Sequence, residues 1–298
     1  MKIIPPIFAI VTPFEKDGSI SFPALRDYLG FLEGGGVKTI IVCGTTGEFP
    51  SLSLQERRQT LEFCRERFKG GVICNISGSC ISDCQSLLHH ARNFSDAALL
   101  LPPYYYANTS QQGLFDFFSA ILKESPVPVF LYNFPRHTNN PLSPELVKKL
   151  AENFKSLSGI KDSGGEFSIS KKYKELCPEL RVFVGGDTVS LRVLETGLNG
   201  SVTGAGNATP ECLVGIYESF VSGAIEKARK WQETSDLWSV YRKPLALDEI
   251  PVIKAGICAR LKNFPLYSRA PLSSLDKNNS KAIAMYFTEK ILPRIAEK

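Results

Sequence analysis

Along most of this chain, short apolar and β-branched runs alternate with stretches whose apolar positions recur every three to four residues. The short runs at residues 7–11, 39–43, 71–76, 97–101, 127–132, 156–161, 182–185 and 201–203 predict strands. Helical spacing appears between them. Residues 22–33 place Leu25, Tyr28, Leu29 and Leu32 on one face, and residues 52–68 open with Ser53 and Glu56 in a capping-box pattern. Further helices are expected at 82–93, capped by Ser82, then at 112–123, at 143–152 after Pro141, and at 188–196. Beyond Pro210 the strand signals stop, and residues 213–222, 224–241, 247–261 and 281–296 all carry helical periodicity.

Eight strands, apolar on both faces and separated by helices, fit right-handed crossovers in a closed parallel sheet. The expected fold is an α/β (β/α)8 TIM barrel with a C-terminal helical appendage, and the expected domains are a catalytic barrel over residues 1–224 and a helical domain over 225–298.

Composition narrows the function. The chain has 298 residues, is 43% hydrophobic and carries a net charge of +5. Lys and Arg form no run interleaved with aromatics, so nucleic acid is not an expected partner. The apolar runs are strand-sized, too short for a bilayer, so no membrane partner is expected either. The start, Met1-Lys2-Ile3-Ile4-Pro5-Pro6, lacks the continuous apolar core of a signal peptide, which makes the cytoplasm the default compartment. The 8 cysteines contain no C-x-x-C pair. Cys80, Cys84 and His89 lack a second ligand pair at finger spacing, so no metal is expected and the thiols read as small buried hydrophobes.

In a barrel, chemistry gathers at the carboxyl ends of the strands. Those ends carry hydroxyls, glycines and one lysine: Thr12-Pro13, Gly44-Thr45-Thr46-Gly47-Glu48, Tyr132-Asn133, Lys161-Asp162, Gly185-Gly186-Asp187 and Thr203-Gly204. A strand that ends at Lys161 leaves its amine half desolvated at a pocket rim. Burial disfavours the ammonium there, and the neutral amine can attack a ketone to form a Schiff base. The Gly44–Gly47 turn can offer successive backbone N–H groups and two hydroxyls to a carboxylate, although a tight strand-to-helix turn would use the same glycines. Tyr132 suits either a proton relay or a packing aromatic, and Tyr104-Tyr105-Tyr106 suits a subunit interface.

The motifs Gly44-Thr45-Thr46-Gly47-Glu48, Tyr132-Asn133-Phe134-Pro135 and Gly159-Ile160-Lys161-Asp162, in this order and spacing, resemble the family of dihydrodipicolinate synthase and N-acetylneuraminate lyase. The resemblance runs from Thr12-Pro13-Phe14 through Gly204 and covers essentially the whole chain. It implies class I chemistry on pyruvate or a pyruvate-derived unit, with no cofactor beyond the covalent lysine imine. Lys161 would form the imine and Tyr132 would relay protons. Thr45, Thr46 and Gly47 would hold the carboxylate, with Thr46 also joining the relay. Tyr105 or Tyr106 would cross a dimer interface to complete that relay. Gly186 and the backbone of Val202 would flank the imine. The partners implied are a small keto acid, an aldehyde and further copies of the chain in a homotetramer built as a dimer of dimers.

Substrate choice turns on departures from the family pattern. Where the synthase carries an arginine in a Ser-Arg-Thr-Gly context, this chain reads Pro135-Arg136-His137-Thr138, with the arginine one residue early and histidine in its place. Arg136 and His137 are therefore the expected substrate-discriminating residues. The neuraminate lyases tend to carry serine at the position of Thr46. The 2-keto-3-deoxygluconate aldolase branch shares Pro50-Ser51-Leu52-Ser53 and Pro103-Tyr104-Tyr105-Tyr106, and Ala107-Asn108 replaces the arginine that serves phosphorylated substrates in some members. Reversible aldol cleavage of a 2-keto-3-deoxy sugar acid is the expected reaction. Alternatives are condensation of pyruvate with aspartate semialdehyde, neuraminate cleavage, keto-deoxy sugar acid dehydration, and a barrel without activity.

Overall fold

Eight runs of mostly buried residues form the strands of the computed structural model, which describes residues 2–245 and 247–297. They are β1 (Ile7–Ala9), β2 (Thr39–Val42), β3 (Gly71–Asn75), β4 (Ala97–Leu100), β5 (Val129–Asn133), β6 (Leu157–Asp162), β7 (Arg181–Gly185) and β8 (Gly200–Thr203). All pair in parallel with their chain neighbours, and β8 returns to β1 through Ile7–Val202 and Phe8–Thr203, closing an eight-stranded barrel. Met1, Ala246 and Lys298, which fall within the two expected domains, lie outside the described residues.

The outer layer is helical: α1 (Phe22–Gly34), α2 (Leu54–Arg67), α3 (Ile81–Phe94), α4 (Gln111–Leu122), the single turn α5 (Pro135–Thr138), α6 (Pro144–Asn153), α7 (Phe167–Leu176), α8 (Ser190–Glu195) and α9 (Pro210–Val221). The C-terminal segment adds α10 (Ile225–Arg242), α11 (Glu249–Cys258), α12 (Lys277–Tyr286) and α13 (Leu292–Ala296), with a π-turn at Phe287–Ile291. Ser53 caps α2 as its sequence pattern requires, accepting from the Glu56 amide while the Glu56 carboxylate accepts from the Ser53 amide.

Besides the unexpected helical turn α5, three features differ from the expected pattern. Helix α3 begins a residue early with Cys80 in the cap position, and the Ser82 hydroxyl lies 3.0 Å from Cys80 Sγ instead of capping. Helix α7 is absent from the hydrophobic pattern because it fully buries only Ser170 and Tyr173. The last periodic stretch is broken in two, because the Pro293 ring excludes a regular i→i−4 bond and the chain widens into a π-turn just before it.

Packing inside the barrel brings Phe130 and Phe183 to 5.7 Å between ring centroids. Gly159 makes this possible: a Cβ there would stand 2.3 Å from the Arg181 carbonyl oxygen and 2.6 Å from the Phe130 ring. The C-terminal segment docks through Trp231, whose indole lies against Gly215, and through Trp238, whose Nε1 donates to the Ala205 carbonyl at 3.1 Å. No disulfide links the cysteines among the described residues, and only Cys80 is exposed. Burial pushes the thiols of Cys43, Cys74 and Cys84 up to about 12. Among the described residues no helix is long and apolar enough to cross a membrane, and no group of metal-type side chains could hold an ion.

Candidate active site

Strands β5 and β6 pair Tyr132 with Lys161 and Asn133 with Asp162. Lys161 also pairs in register with Phe183 of β7, so its side chain shares the interior layer of that ring. Lys161 is 7% exposed and Tyr132 2% exposed, and the lysine Nζ stands 3.8 Å from the tyrosine ring centroid. No carboxylate pairs with Lys161 among the described residues. Phe134 stacks on Tyr132 at 5.5 Å, and His137 meets the Phe134 ring edge-on at 4.2 Å.

Asp162 fixes the strand ends that carry this pair. Its Oδ1 accepts from Asn133 Nδ2 at 2.8 Å and from the Gly164 amide at 2.9 Å, while its Oδ2 accepts from Ser170 Oγ at 2.5 Å. Asn133 completes the lock by accepting the Leu142 amide at 3.1 Å. Helix α7, missed in the sequence pattern, is therefore the element that supplies Ser170.

The turn after β2 is bounded by two residues with left-handed backbone, Cys43 at φ 54° and Glu48 at φ 57°. Within it the Gly47 amide donates back to the Gly44 carbonyl at 3.0 Å, so Gly47 offers no N–H to a ligand. The amides of Thr45 and Thr46 have no partner among the described residues, and Thr45 Oγ1 is buried without one. The turn is held to the barrel by Thr12 Oγ1 donating to the Gly47 carbonyl at 2.7 Å and Asn75 Nδ2 donating to the Cys43 carbonyl at 2.7 Å, while Gly204 leaves room for Thr46, whose Oγ1 would lie 2.8 Å from a Cβ there.

The other expected residues scatter around the rim. The Gly186 amide donates to the Val202 carbonyl at 3.1 Å, joining the ends of β7 and β8. Arg136 and His137 sit on the outer turn α5, where partial burial of the imidazole and then the Arg136 charge lower the His137 pKa, with Glu249 opposing. Tyr105 and Tyr106 are 81% and 70% exposed and touch each other edge-on at 5.4 Å, and among the described residues neither bonds Lys161 or Tyr132. Tyr104 instead packs against Phe49 at 5.9 Å.

Two networks escaped the sequence reading. Asp187 accepts from Thr203 Oγ1 and meets Arg242 of α10 at 3.4 Å, and Arg242 reaches Glu249 at 3.0 Å. Burial holds the Asp187 carboxyl above its ordinary range, with Arg242 and Thr203 opposing. Glu48 pairs with Lys254 of α11 at 2.5 Å, and burial pulls the Lys254 ammonium down while Glu48 pushes it up. Glu48 and Lys254 are 206 residues apart, and no local spacing reveals such a pair.

A closed (β/α)8 barrel with a buried lysine, a neighbouring tyrosine and a hydroxyl-bearing turn at its strand ends defines the architecture of a barrel lyase. The dihydrodipicolinate synthetase family model matches residues 4–290, and the chain belongs to that family. A relative named 4-hydroxy-tetrahydrodipicolinate synthase, from Thermosipho melanesiensis, is 35% identical over 74% of this chain and 77% of its own length. Among solved structures, YagE of E. coli K12 in complex with pyruvate superposes with a TM-score of 0.88 at 25% identity, covering 95% of this chain and 97% of its own. A Sulfolobus 2-keto-3-deoxygluconate (KDG) aldolase in complex with D-KDPG also gives 0.88, at 27% identity over 98% of this chain and 97% of its own. Relatives of both activities match this chain, and the enzyme is a lyase of this family.

Proposed function

We propose that the protein is a Schiff-base-forming lyase that reversibly cleaves a nonphosphorylated 2-keto-3-deoxy sugar acid to pyruvate and an aldehyde. The observation that carries this reading is the in-register Lys161–Tyr132 pair at the barrel mouth. Lys161 Nζ attacks the keto carbon, and loss of water leaves the imine. Tyr132 moves the protons of that step. The free amides of Thr45 and Thr46, with their hydroxyls, take the substrate carboxylate, and Thr46 passes protons to Tyr132. Proton removal from the C4 hydroxyl then breaks the C3–C4 bond and releases the aldehyde. The bond electrons form an enamine on Lys161, protonation at C3 gives the pyruvate imine, and water frees the pyruvate.

Gly186 and Val202 flank the imine in this scheme, while Arg136 and His137 meet the distal end of the substrate. Tyr105 or Tyr106 acts in the neighbouring copy of a homotetramer, which accounts for two tyrosines so exposed in one chain. The tetramer works in the cytoplasm and needs no cofactor beyond the lysine imine.

Borohydride reduction in the presence of pyruvate tests the imine: mass added at Lys161 supports it, and an unmodified Lys161 defeats it. Pyruvate release from 2-keto-3-deoxygluconate, measured beside condensation with aspartate semialdehyde, tests the substrate. Condensation is the second reading, favoured by the identity to the Thermosipho synthase. Efficient condensation without aldol cleavage would replace the first reading with the second.

A further inference from the structure

The Glu48–Lys254 pair is more deeply buried than any other ion pair among the described residues, with side chains 1% and 0% exposed. Lys254 Nζ donates to Glu48 Oε1 at 2.5 Å and to the Tyr267 carbonyl at 2.7 Å. Glu48 Oε2 accepts the Arg269 amide at 3.1 Å. The Arg269 guanidinium then bonds the Gly18 carbonyl, the Ser51 carbonyl at 2.7 Å and the Glu56 carboxylate. Both cations stand over the Phe14 ring, each 4.6 Å from its centroid. Residues 254–269 thus grip the exit of the turn that carries Thr45 and Thr46, and they also grip the loop after β1.

Glu48 is the last residue of that turn. Its backbone sits in the left-handed region, which a residue with a Cβ adopts only when its surroundings enforce it. Its backbone is held by the Glu48 amide donating to the Thr45 carbonyl at 3.0 Å and its carbonyl accepting the Ser51 amide at 2.9 Å, and its carboxylate is held by Lys254 and the Arg269 amide. A carboxylate site made of two amides and two hydroxyls depends on the angle at which the turn is held.

We infer that Lys254 of the C-terminal segment, acting through Glu48, is a positioning residue for carboxylate recognition by the Thr45–Thr46 turn. The inference rests on the proposed function of that turn. Lys254 does not touch substrate, and its effect falls on the binding of the carboxylate and not on the amine chemistry of Lys161.

The test compares two ketones of similar size, pyruvate and hydroxyacetone, of which only pyruvate carries a carboxylate. Borohydride-dependent mass addition at Lys161 is titrated with each in the wild-type enzyme, in Lys254→Met, in Lys254→Arg and in the double variant Glu48→Gln/Lys254→Met. The double variant leaves no lone buried charge and carries the measurement if Lys254→Met fails to fold, with far-UV circular dichroism as the check. The half-saturating pyruvate concentration is expected to rise about tenfold or more, the effect of misplacing hydrogen bonds to an anion. The hydroxyacetone value stays within about twofold, a change too small to count as lost binding energy. Lys254→Arg is expected to recover part of the pyruvate loss. Equal weakening for both ketones would reduce the clamp to a support of the fold, and no change for either would remove its role. A wild-type enzyme that traps neither ketone would instead overturn the imine reading on which the inference stands.

Discussion

Asn133 donates to Asp162 across the β5–β6 seam, one residue beyond Tyr132 and Lys161. A hydrogen bond at the strand ends thus fixes which tyrosine lies beside which lysine. Removing the acceptor in Asp162→Ala orphans three donors: Asn133 Nδ2, the Gly164 amide and Ser170 Oγ. Each buried orphan costs about 1–3 kcal/mol, so the variant should lose several kcal/mol in urea denaturation. Asp162→Asn, which keeps an acceptor oxygen, should lose less. Equal stability of wild type and Asp162→Ala would show that the register holds without this bond.

Lys161→Ala is expected to abolish both borohydride trapping and turnover. Tyr132→Phe removes only an oxygen and should lower kcat by roughly 10²–10⁴-fold, the span of a lost general acid–base, while leaving imine trapping detectable. Steady-state rates of the two variants decide the roles, and an unchanged kcat in Tyr132→Phe would assign the ring to packing.

Acid should loosen the junction between α2 and the C-terminal segment. The Arg269 guanidinium beside Glu56 holds that carboxyl down to about 2, from an ordinary value of 4.5. Its folded-state value is depressed, so its contribution to stability is fully present above about pH 4.5 and is lost as pH falls towards about 2. The Arg269 and Glu56 side chains keep 21% and 27% of their surface in solvent, and that screening limits the contribution to about 1 kcal/mol. Urea midpoints at neutral and acid pH should therefore converge for wild type and Glu56→Gln as the pH drops. A gap that stays constant over that range would contradict the linkage.

Gly159→Ala places a methyl group into the Arg181 carbonyl and the Phe130 ring. Backbone cannot yield as a side-chain tip does, so the cost should reach or exceed the ~1–3 kcal/mol typical of overpacking. A thermal melt matching that of the wild type would mean that β6 and β7 can move apart.

The barrel was readable in the sequence because each strand is short, apolar and punctuated. Lys161 stood out because a charge at the end of the apolar run before it needs a reason. What the pattern concealed lies at long range or on polar faces. Helix α7 buries a serine to bind Asp162, which no hydrophobic periodicity records. The turn at Gly44–Gly47 looked like a row of free amides, yet Gly47 spends its own on Gly44, a detail of dihedral angles and not of residue type. Lys254 carries no local signal in the sequence, and only tertiary contact makes it a buried partner of Glu48.

The Glu48–Lys254 pair also sets an order of events during synthesis. A chain that has emerged only as far as β8 already contains Lys161, Tyr132 and the whole sheet, yet Glu48 is then a carboxylate with no cation to face. An uncompensated charge in a closed interior costs several kcal/mol, so the loop after β2 is expected to stay open to water until residues 254–269 arrive. Lys161, the proposed imine-forming residue, is built near the middle of translation, and the turn proposed to hold its substrate is expected to be finished close to the end.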